Sequence, residues 1–411
     1  MAKLVPATVA PLPLALRRRL GLPLLVLYGA GITIGAGIYV LIGAVAGHAG
    51  QYAPWSFVLA AVTMAFTVGS YAELATRFPV SAGEAAYVRA AFGSRAASIA
   101  TGLLSLFIGI VSSATVTLGS AGYIAQFIAL PAAVTVILVV ALLGLVASWG
   151  ILESVLLAGL FTLIETGGLV IIIIAAVHTG VPFADALAPP PPDLAVLSGV
   201  AFASLLAFFA FIGFEDLANI VEEVKVPHRD LPRAMVATLV ISTVLYVAVA
   251  AVAVTAVPVA DLAASPAPLS LVFNAVVNIN PAAITAIAIV ATLNTILAQM
   301  TMAARVIYGM ARQGDLPRRL GHVHSRTATP VLATVLIAAA TIVLALLVPI
   351  ERLAESTSVA TLAIFALVNL ALLRLRYRGV ASPALHVRVP IWIPALGLIA
   401  CLAMMAAVTM G

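Results

Sequence analysis

The chain has 411 residues, of which 64% are hydrophobic and only 9% are charged. A soluble core of this size does not need so much apolar sequence, so the composition excludes a water-soluble globular protein and indicates a polytopic helical membrane protein. A single cysteine, Cys401, excludes a disulfide framework and a thiolate-ligated metal site. The formal net charge of +5 would suit a nucleic-acid partner, but the positions of the charges give it another explanation.

Eleven apolar runs are predicted to cross the membrane as helices. The run after Lys3 and Arg17–Arg19 starts like a signal peptide, but its length and the lack of a convincing cleavage site favour a retained first span. The predicted spans are about residues 22–46, 54–78, 96–126, 131–148, 152–177, 195–221, 233–257, 283–311, 331–349, 353–373 and 390–410.

Almost all of the positive charges fall on one side of this arrangement. With the N-terminus placed in the cytoplasm, every lysine and arginine except Arg352 lies in or beside a cytoplasmic segment. The positive-inside rule therefore predicts a protein of the cytoplasmic membrane with its N-terminus inside and, because the number of spans is odd, its C-terminus outside. Topology thus explains the basic balance, and no nucleic-acid partner is predicted.

The first predicted span is rich in glycine. Gly29, Gly31, Gly35, Gly37 and Gly43 lie close together in it, and each glycine inside a helix costs about 0.5–1 kcal/mol relative to alanine. We expect the helix to break at the middle pair, Gly35 and Gly37, where backbone freed at membrane depth must be buried in protein or line a cavity. The alternative is close helix packing, for which Gly31 and Gly35 would suffice.

The fifth predicted span contains a lone carboxylate, Glu165. A carboxylate at the centre of a membrane helix costs about 2.5–3.5 kcal/mol even on the lenient insertion scale. Ala158, Thr162 and Gly168 share its helical face, so this face of small and polar groups should look into the bundle. We predict a coupling or cavity role for Glu165; the alternative is a protonated structural glutamate bonded to a neighbouring carbonyl.

A second interruption is predicted in the sixth span, where Gly213 is followed by Glu215 and Asp216 inside an apolar run. Two discontinuous helices at matching places are the best sequence indication of a transporter's central site. Open helix N-termini attract an anionic group and open carbonyls attract a cation. A substrate with both a carboxylate and an amine fits that arrangement.

The proline-rich linker Pro189–Pro192 divides the first ten spans into two sets of five. Because five helices bring the chain to the opposite side, the second set must run inverted, which predicts a 5+5 inverted-repeat fold with discontinuous helices 1 and 6. The predicted divisions are a cytoplasmic segment (1–21), a first five-helix repeat (22–178), an extracytoplasmic loop (179–194), a second repeat (195–376) and a cytoplasmic loop with an eleventh helix (377–411).

Several sequence blocks resemble one family in order along the chain. IGAGIYVLIG in the first span and FFAFIGFEDLANIVEEVKVPHRDLPRA in the sixth span resemble motifs of the amino acid–polyamine–organocation superfamily, especially its cationic-amino-acid-transporter-like branch. AARVIYGMARQGDLP is similar to the exit of that family's eighth span, and ESTSVAT and VNL are similar to its tenth. The resemblance implies a permease whose amino acid substrate is held where the first and sixth helices unwind.

The resemblance also implies roles for individual residues. The substrate carboxylate would lie on the amides of the first interruption and the amine on carbonyls of the sixth helix. Phe209 is the preferred aromatic lid and Phe211 the second choice; the alternative is ordinary core packing of these rings. Glu215 is expected to lie nearer the cavity than Asp216. An ionised and unpaired Glu215 would favour a cationic substrate, whereas a protonated Glu215 would leave neutral substrates open. The predicted substrate-binding residues are Ile34, Gly35, Ala36, Gly37, Phe208, Phe209, Ala210, Phe211 and Glu215.

Three departures from the family pattern are present, and the first two leave the coupling ion and the substrate open without affecting the fold. Glu165 stands where many proton-coupled members carry a lysine, Glu215 with an additional Asp216 stands where the branch has an aspartate, and a twelfth span is not present. We rank proton coupling through Glu165 above sodium binding, for which Thr301 would offer a further oxygen, and leave exchange open.

The predicted function is secondary active transport of an amino acid or a related organic amine by alternating access. Its predicted partners are that substrate, a proton or a sodium ion, and membrane lipid. An enzyme is not predicted, because the spans hold no histidine and glutamate constellation for a metal, and an ATP-driven pump is not predicted, because GxxxxGK[ST] is absent. No cofactor is predicted, and a membrane receptor or scaffold is the alternative of another class.

Overall fold

The computed structural model describes residues 20–78, 83–149, 155–324, 327, 329–380 and 385–407. In this part of the chain the secondary structure is helical, and the β pairing found there is one isolated bridge between Leu20 and Val224. The α-helices are α1 (Leu22–Thr33), α2 (Ala36–Ala49), α3 (Ala53–Arg77), α4 (Gly83–Phe92), α5 (Arg95–Ile124), α6 (Ala132–Trp149), α7 (Val155–Thr179), α8 (Leu194–Phe209), α9 (Asp216–Asn219), α10 (Pro227–Ala256), α11 (Val259–Ala264), α12 (Pro268–Val277), α13 (Ala282–Gln313), α14 (Val331–Leu347), α15 (Ile350–Tyr377) and α16 (Trp392–Ala406).

Seven helical stretches of the described residues are long and apolar enough to cross a membrane. Five further apolar helices are shorter, namely α1, α8, α12, α14 and α16. The predicted all-α polytopic membrane protein is therefore confirmed, while the count of eleven spans stays a prediction. The seven long stretches are Ala36–Arg77 (α2 with α3), Arg95–Ile124, Ala132–Trp149, Gly159–Thr179, Pro227–Ala256, Ala282–Arg312 and Ile350–Tyr377.

The outer surface of the helix bundle is apolar, as contact with lipid requires. On α6, Leu138, Leu142 and Leu145 expose 55%, 59% and 68% of their surface. A leucine row this exposed would be unfavourable in water, because burial of apolar surface is the main force that folds a soluble protein. The exposed apolar rows and the long helices together define an integral membrane protein.

Both predicted helix interruptions are present. Helix α1 ends at Thr33 and α2 begins at Ala36, and Gly35 between them has a non-helical backbone at ψ −147°. Helix α8 ends at Phe209 and the next helical turn, α9, begins only at Asp216. Because the chain cannot continue a helix through these turns, backbone amides and carbonyls are left without their helical partners in the middle of apolar sequence.

The prediction from sequence omitted two short helices, α11 and α12, between the seventh and eighth predicted spans. Proline occupies the first position of α12 at Pro268, where its missing N–H group costs nothing. Helix α11 packs along α2, and a Cβ built on Gly43 would lie 2.6 Å from the carbonyl oxygen of Leu262. These helices were missed because their length is below that of a span and because the prolines that start them resemble loop signals.

A buried polar network joins α3, α15 and α16. Asn369, fully buried, accepts a hydrogen bond from Ser70 (2.6 Å) and donates to Thr67 (3.0 Å) and to the carbonyl oxygen of Phe365 (2.8 Å). The hydroxyl of Thr67 also lies 3.7 Å from the thiol sulfur of Cys401 on α16. Polar side chains that satisfy one another in this way hold membrane helices together, where the hydrophobic effect between helices is absent.

Candidate functional site

The two helix interruptions lie in direct contact with each other. A Cβ built on Gly37 would lie 2.5 Å from the Cα of Ala210, and one built on Gly213 would lie 2.5 Å from Cγ2 and 3.0 Å from the carbonyl oxygen of Ile32. Gly213 also has φ +124°, a conformation that residues with a side chain rarely adopt. Only glycine at both positions lets the broken backbones approach this closely.

The first interruption presents the start of α2 towards α13. The amide of Ala36 donates a hydrogen bond to the hydroxyl of Thr295, 3.1 Å away. A Cβ built on Gly35 would lie 2.5 Å from the same hydroxyl. One of the three amides predicted for the substrate carboxylate is therefore held by a hydroxyl of α13, and Ile34 is fully buried beside it.

The second interruption is capped by its own glutamate. The carboxylate of Glu215 accepts a hydrogen bond from the amide of Gly213 at 2.8 Å. Asp216 begins α9. Glu215 is thus bonded to the backbone of the interruption, which partly compensates its charge, and its position nearer the cavity than Asp216 stays a prediction.

The phenylalanines of the second interruption differ in their surroundings. Phe211 packs edge-on against Tyr246 with ring centroids 5.0 Å apart, and Phe208 packs against Phe365 at 5.8 Å. Phe209 is buried to 5% exposure, and within the described residues no aromatic ring pairs with it. Of the two lid candidates, Phe209 is therefore the one whose ring is not held by another ring.

Tyr246 on α10 is a site residue that sequence reasoning missed. Its hydroxyl lies 2.6 Å from the carbonyl oxygen of Thr33 and 2.8 Å from that of Ala210, so it reaches the last turns of both broken helices. The only sequence signal was its position one turn beyond Ser242 and two turns beyond Thr238, a polar row within an apolar span.

Glu165 is fully buried and has one hydrogen bond from a side chain. Its Oε1 accepts from the amide of Asn294 at 3.1 Å, and its Oε2 has no hydrogen-bond partner in the described part of the chain. The backbone carbonyl of Glu165 accepts from the hydroxyl of Tyr39 at 2.6 Å, which ties α7 to α2. A buried carboxyl group with one oxygen unpaired is costly when ionised, so this site suits a proton or a small cation.

The face of α7 that carries Glu165 looks into the bundle, as predicted, where it packs on the broken first helix. A Cβ built on Gly31 would lie 1.9 Å from the hydroxyl oxygen of Thr162, and one built on Gly168 would lie 2.7 Å from that of Tyr39. From α13, the side chain of Asn294 reaches Glu165 and that of Thr295 reaches the start of α2. Thr301, the further oxygen named for a sodium site, lies almost two turns beyond Asn294 on α13, about 10 Å by the helical rise, and its role stays a prediction.

A second buried charge, Glu73 on α3, has several partners. Glu73 forms an i,i+4 ion pair with Arg77 at 3.4 Å, and it also pairs with Arg376. Its Oε2 accepts from the amide of Val389 at 2.9 Å. This carboxylate binds α3 to α15 and to the segment before α16, so it acts in packing.

Broken helices in contact inside a bundle of apolar helices define a membrane transporter. Among the described residues no group of three or more His, Cys, Asp or Glu is placed to hold a metal ion. The sequence model of the family described as "Amino acid permease" matches residues 21–411. The chain belongs to this family, which confirms the resemblance to the amino acid–polyamine–organocation superfamily, and it is a transporter rather than an enzyme.

Individual relatives agree with this assignment. The branched-chain amino acid permease BcaP of Bacillus subtilis is 32% identical over 94% of this chain and 87% of its own length. The vacuolar cationic amino acid transporter 4 of Arabidopsis thaliana is 33% identical over 89% of this chain, which spans only 64% of that protein. The methylthioribose transporter of B. subtilis is 29% identical over 86% of this chain and 80% of its own length.

Proposed function

We propose that the chain is a secondary active transporter that carries an amino acid by alternating access. The observation that carries this proposal is the direct contact between the two interruptions, Gly37 with Ala210 and Gly213 with Ile32. It brings the start of α2, which favours an anion, close to the end of α8, which favours a cation. A molecule with one carboxylate and one ammonium group matches both ends.

In this proposal the substrate carboxylate lies on the amides that follow Ile34, and its ammonium group lies on carbonyls at the end of α8. The amides are those of Gly35, Ala36 and Gly37. At Ala36 the substrate carboxylate would displace the hydroxyl of Thr295 or share the amide with it. The carbonyls are those of Phe208, Ala210 and Phe211, and Phe209 covers the apolar side of the substrate.

We further propose a neutral, apolar amino acid as the preferred substrate. Glu215 already accepts a hydrogen bond from Gly213, so it is not the unpaired carboxylate that would call for a cationic side chain. The second interruption is lined by buried phenylalanine rings, which favour apolar substrate atoms. A cationic substrate is the second candidate, supported by the relationship to the plant cationic amino acid transporters.

The proposed energy source is a proton bound by Glu165. Its side chain contacts Asn294 on α13, and its backbone contacts Tyr39 on α2. A change of its charge therefore acts on α2, which follows the first interruption, and on α13, which packs beside it. A ligand can drive a conformational change only through different interactions in the two states, and protonation of this carboxyl group supplies such a difference. Sodium coupling and exchange are the alternatives, since carboxylate, amide and hydroxyl oxygens also suit a hard cation.

The proposed architecture is the inverted repeat of five helices and five helices that was predicted from the sequence, with the same division at residues 179–194. The N-terminus is proposed to lie in the cytoplasm and the C-terminus outside, across the cytoplasmic membrane. Cysteines introduced one at a time into the connections between helices, followed by labelling from outside intact cells, test this orientation.

Uptake by purified protein in proteoliposomes tests the function. Labelled leucine, alanine, lysine and arginine are offered with an inward proton gradient, an inward sodium gradient or neither. We expect leucine or alanine to accumulate, and only with the proton gradient. Accumulation driven by a sodium gradient alone would contradict proton coupling. A preference for lysine and arginine would contradict the proposed neutral substrate. Absence of uptake and of counterflow for all four amino acids would contradict the proposed function.

A further inference from the structure

The hydroxyl of Tyr246 faces two acceptors with a single proton. The carbonyl oxygens of Thr33 and Ala210 lie 2.6 and 2.8 Å from it, and both belong to the last turns of broken helices. A phenolic hydroxyl can donate one strong, nearly linear hydrogen bond at a time. When Tyr246 is the only donor to both carbonyls, one of them therefore lacks a full hydrogen bond.

The ring of Tyr246 is held so that the hydroxyl stays between these carbonyls. Tyr246 is fully buried, and its ring packs against Phe211 at 5.0 Å and against Phe57 at 5.8 Å. The side chain has few torsions and no route to water, so the hydroxyl can reorient its proton but cannot leave. It acts as a fixed donor shared by two acceptors.

The surface between α10 and α1 contains other hydroxyls that lack partners. In the described part of the chain no hydrogen bond is made by the side chains of Thr33, Thr238 or Ser242, all of which are buried. A Cβ built on Gly29 would lie 2.5 Å from the hydroxyl oxygen of Thr238, which places this row against α1. Buried polar groups without partners are uncommon in native proteins, so this interface differs from a fully satisfied contact between helices.

We propose that Tyr246 is a positioning residue that joins the two broken helices and frees one carbonyl for the ammonium group of the substrate. Without substrate its proton is shared between the carbonyls of Thr33 and Ala210. When an ammonium group donates to the carbonyl of Ala210, Tyr246 donates to that of Thr33, and both acceptors are satisfied. The carbonyl ends of two helices carry partial negative charge, so a cationic group is the ligand they favour.

This inference rests on the proposed function, since it names a contact of the same substrate, and it makes a prediction about N–H groups. In the wild type, Tyr246 satisfies one carbonyl and the substrate amine must satisfy the other. In Tyr246→Phe the amine must satisfy both. A dimethylated amine keeps one N–H group, which is enough in the wild type but leaves one carbonyl unsatisfied in Tyr246→Phe, so dimethylation becomes more costly there. Steric effects of the methyl groups are common to both proteins and cancel when the two ratios are compared.

The experiment measures KM for uptake in proteoliposomes of the best transported of the four amino acids and of its Nα,Nα-dimethyl derivative. The KM of the derivative is divided by the KM of the parent amino acid, and this ratio is determined for the wild type, Tyr246→Phe and Tyr123→Phe. Tyr123 is the matched control, because its buried hydroxyl donates to one carbonyl only, that of Tyr39 at 2.6 Å. We expect the ratio to rise about fivefold or more in Tyr246→Phe and to stay within about twofold in Tyr123→Phe.

An unchanged ratio in a well-folded Tyr246→Phe protein would overturn the inference and leave Tyr246 with a packing role, even if the stability or the uptake rate falls. If that variant does not fold, replacement of Tyr246 by 3-fluorotyrosine keeps the shape and strengthens the donor. The ratio should then fall below that of the wild type, and an unchanged or raised ratio overturns the inference. Failure of the wild type to transport any of the amino acids would instead count against the proposed function.

Discussion

The buried network around Asn369 and the region around Glu165 are both polar and both enclosed by apolar helices, but they differ in how far their groups are satisfied. Both the carbonyl oxygen and the amide nitrogen of Asn369 have hydrogen-bond partners, from Ser70, Thr67 and the backbone of Phe365. Glu165 has one oxygen without a partner among the described residues. A satisfied network favours one arrangement of its helices, whereas an unsatisfied group favours a ligand or a second arrangement. We therefore expect the Asn369 network to serve packing and the region around Glu165 to serve coupling.

The largest effect is expected where the two interruptions touch. Gly213→Val places a side chain against Ile32 and at a φ of +124°, where strain alone costs about 1–3 kcal/mol. We expect uptake to fall by about 100-fold or the protein to be lost from the membrane. Gly309→Ala is the control, because its Cβ would have no atom within 4 Å. Normal uptake by Gly213→Val would show that the close approach is not needed.

The next effect concerns Glu165 and separates coupling from packing. Glu165→Gln keeps the shape and the partner Asn294 but cannot release a proton. We expect proton-driven accumulation to fall about tenfold or more, and the pH dependence of uptake to flatten, while exchange of substrate continues. Uptake at a series of external pH values, together with counterflow, measures this. If the variant keeps the wild-type pH dependence and accumulation, Glu165 is a structural residue like Asn369.

Asn369 should show the opposite pattern. Asn369→Leu leaves Ser70 and Thr67 without their partner, which should destabilise the protein by about 1–3 kcal/mol. Thermal unfolding in detergent, followed by size-exclusion chromatography, should show a lower midpoint, while KM and the pH dependence of uptake remain those of the wild type. A large change in the pH dependence of uptake would contradict the difference between the two regions, because the Asn369 network would then take part in coupling.

The smallest effect is expected for an ion pair that belongs to neither region. Arg95 lies 2.6 Å from Asp315, but 62% of its side chain is exposed to solvent, and such pairs contribute about 0–1 kcal/mol. Arg95→Gln should change neither the unfolding midpoint nor the uptake rate by more than a small amount, and any effect should weaken as salt is added. A strong loss of uptake would assign this pair to the transport cycle.

The sequence by itself determined those features whose energy is local. Glycines at 35, 37 and 213 make a continuous helix costly, and a lone glutamate at 165 is costly in lipid, so both broken helices and the inward face of α7 could be predicted. The repeated apolar runs likewise determined an all-helical membrane protein. These predictions needed only neighbouring residues along the chain.

The tertiary structure decided which distant groups complete the site. Tyr246 lies 213 residues from Thr33, and Asn294 lies 129 residues from Glu165, yet each pair is in hydrogen-bond contact. Hydroxyl and amide side chains are common in membrane helices and most bond to their own backbone, so sequence cannot select the few that reach across. The packing of α10 and α13 against the broken helices makes that selection, because close approach at Gly37 and Gly213 fixes which side chains can reach the open carbonyls.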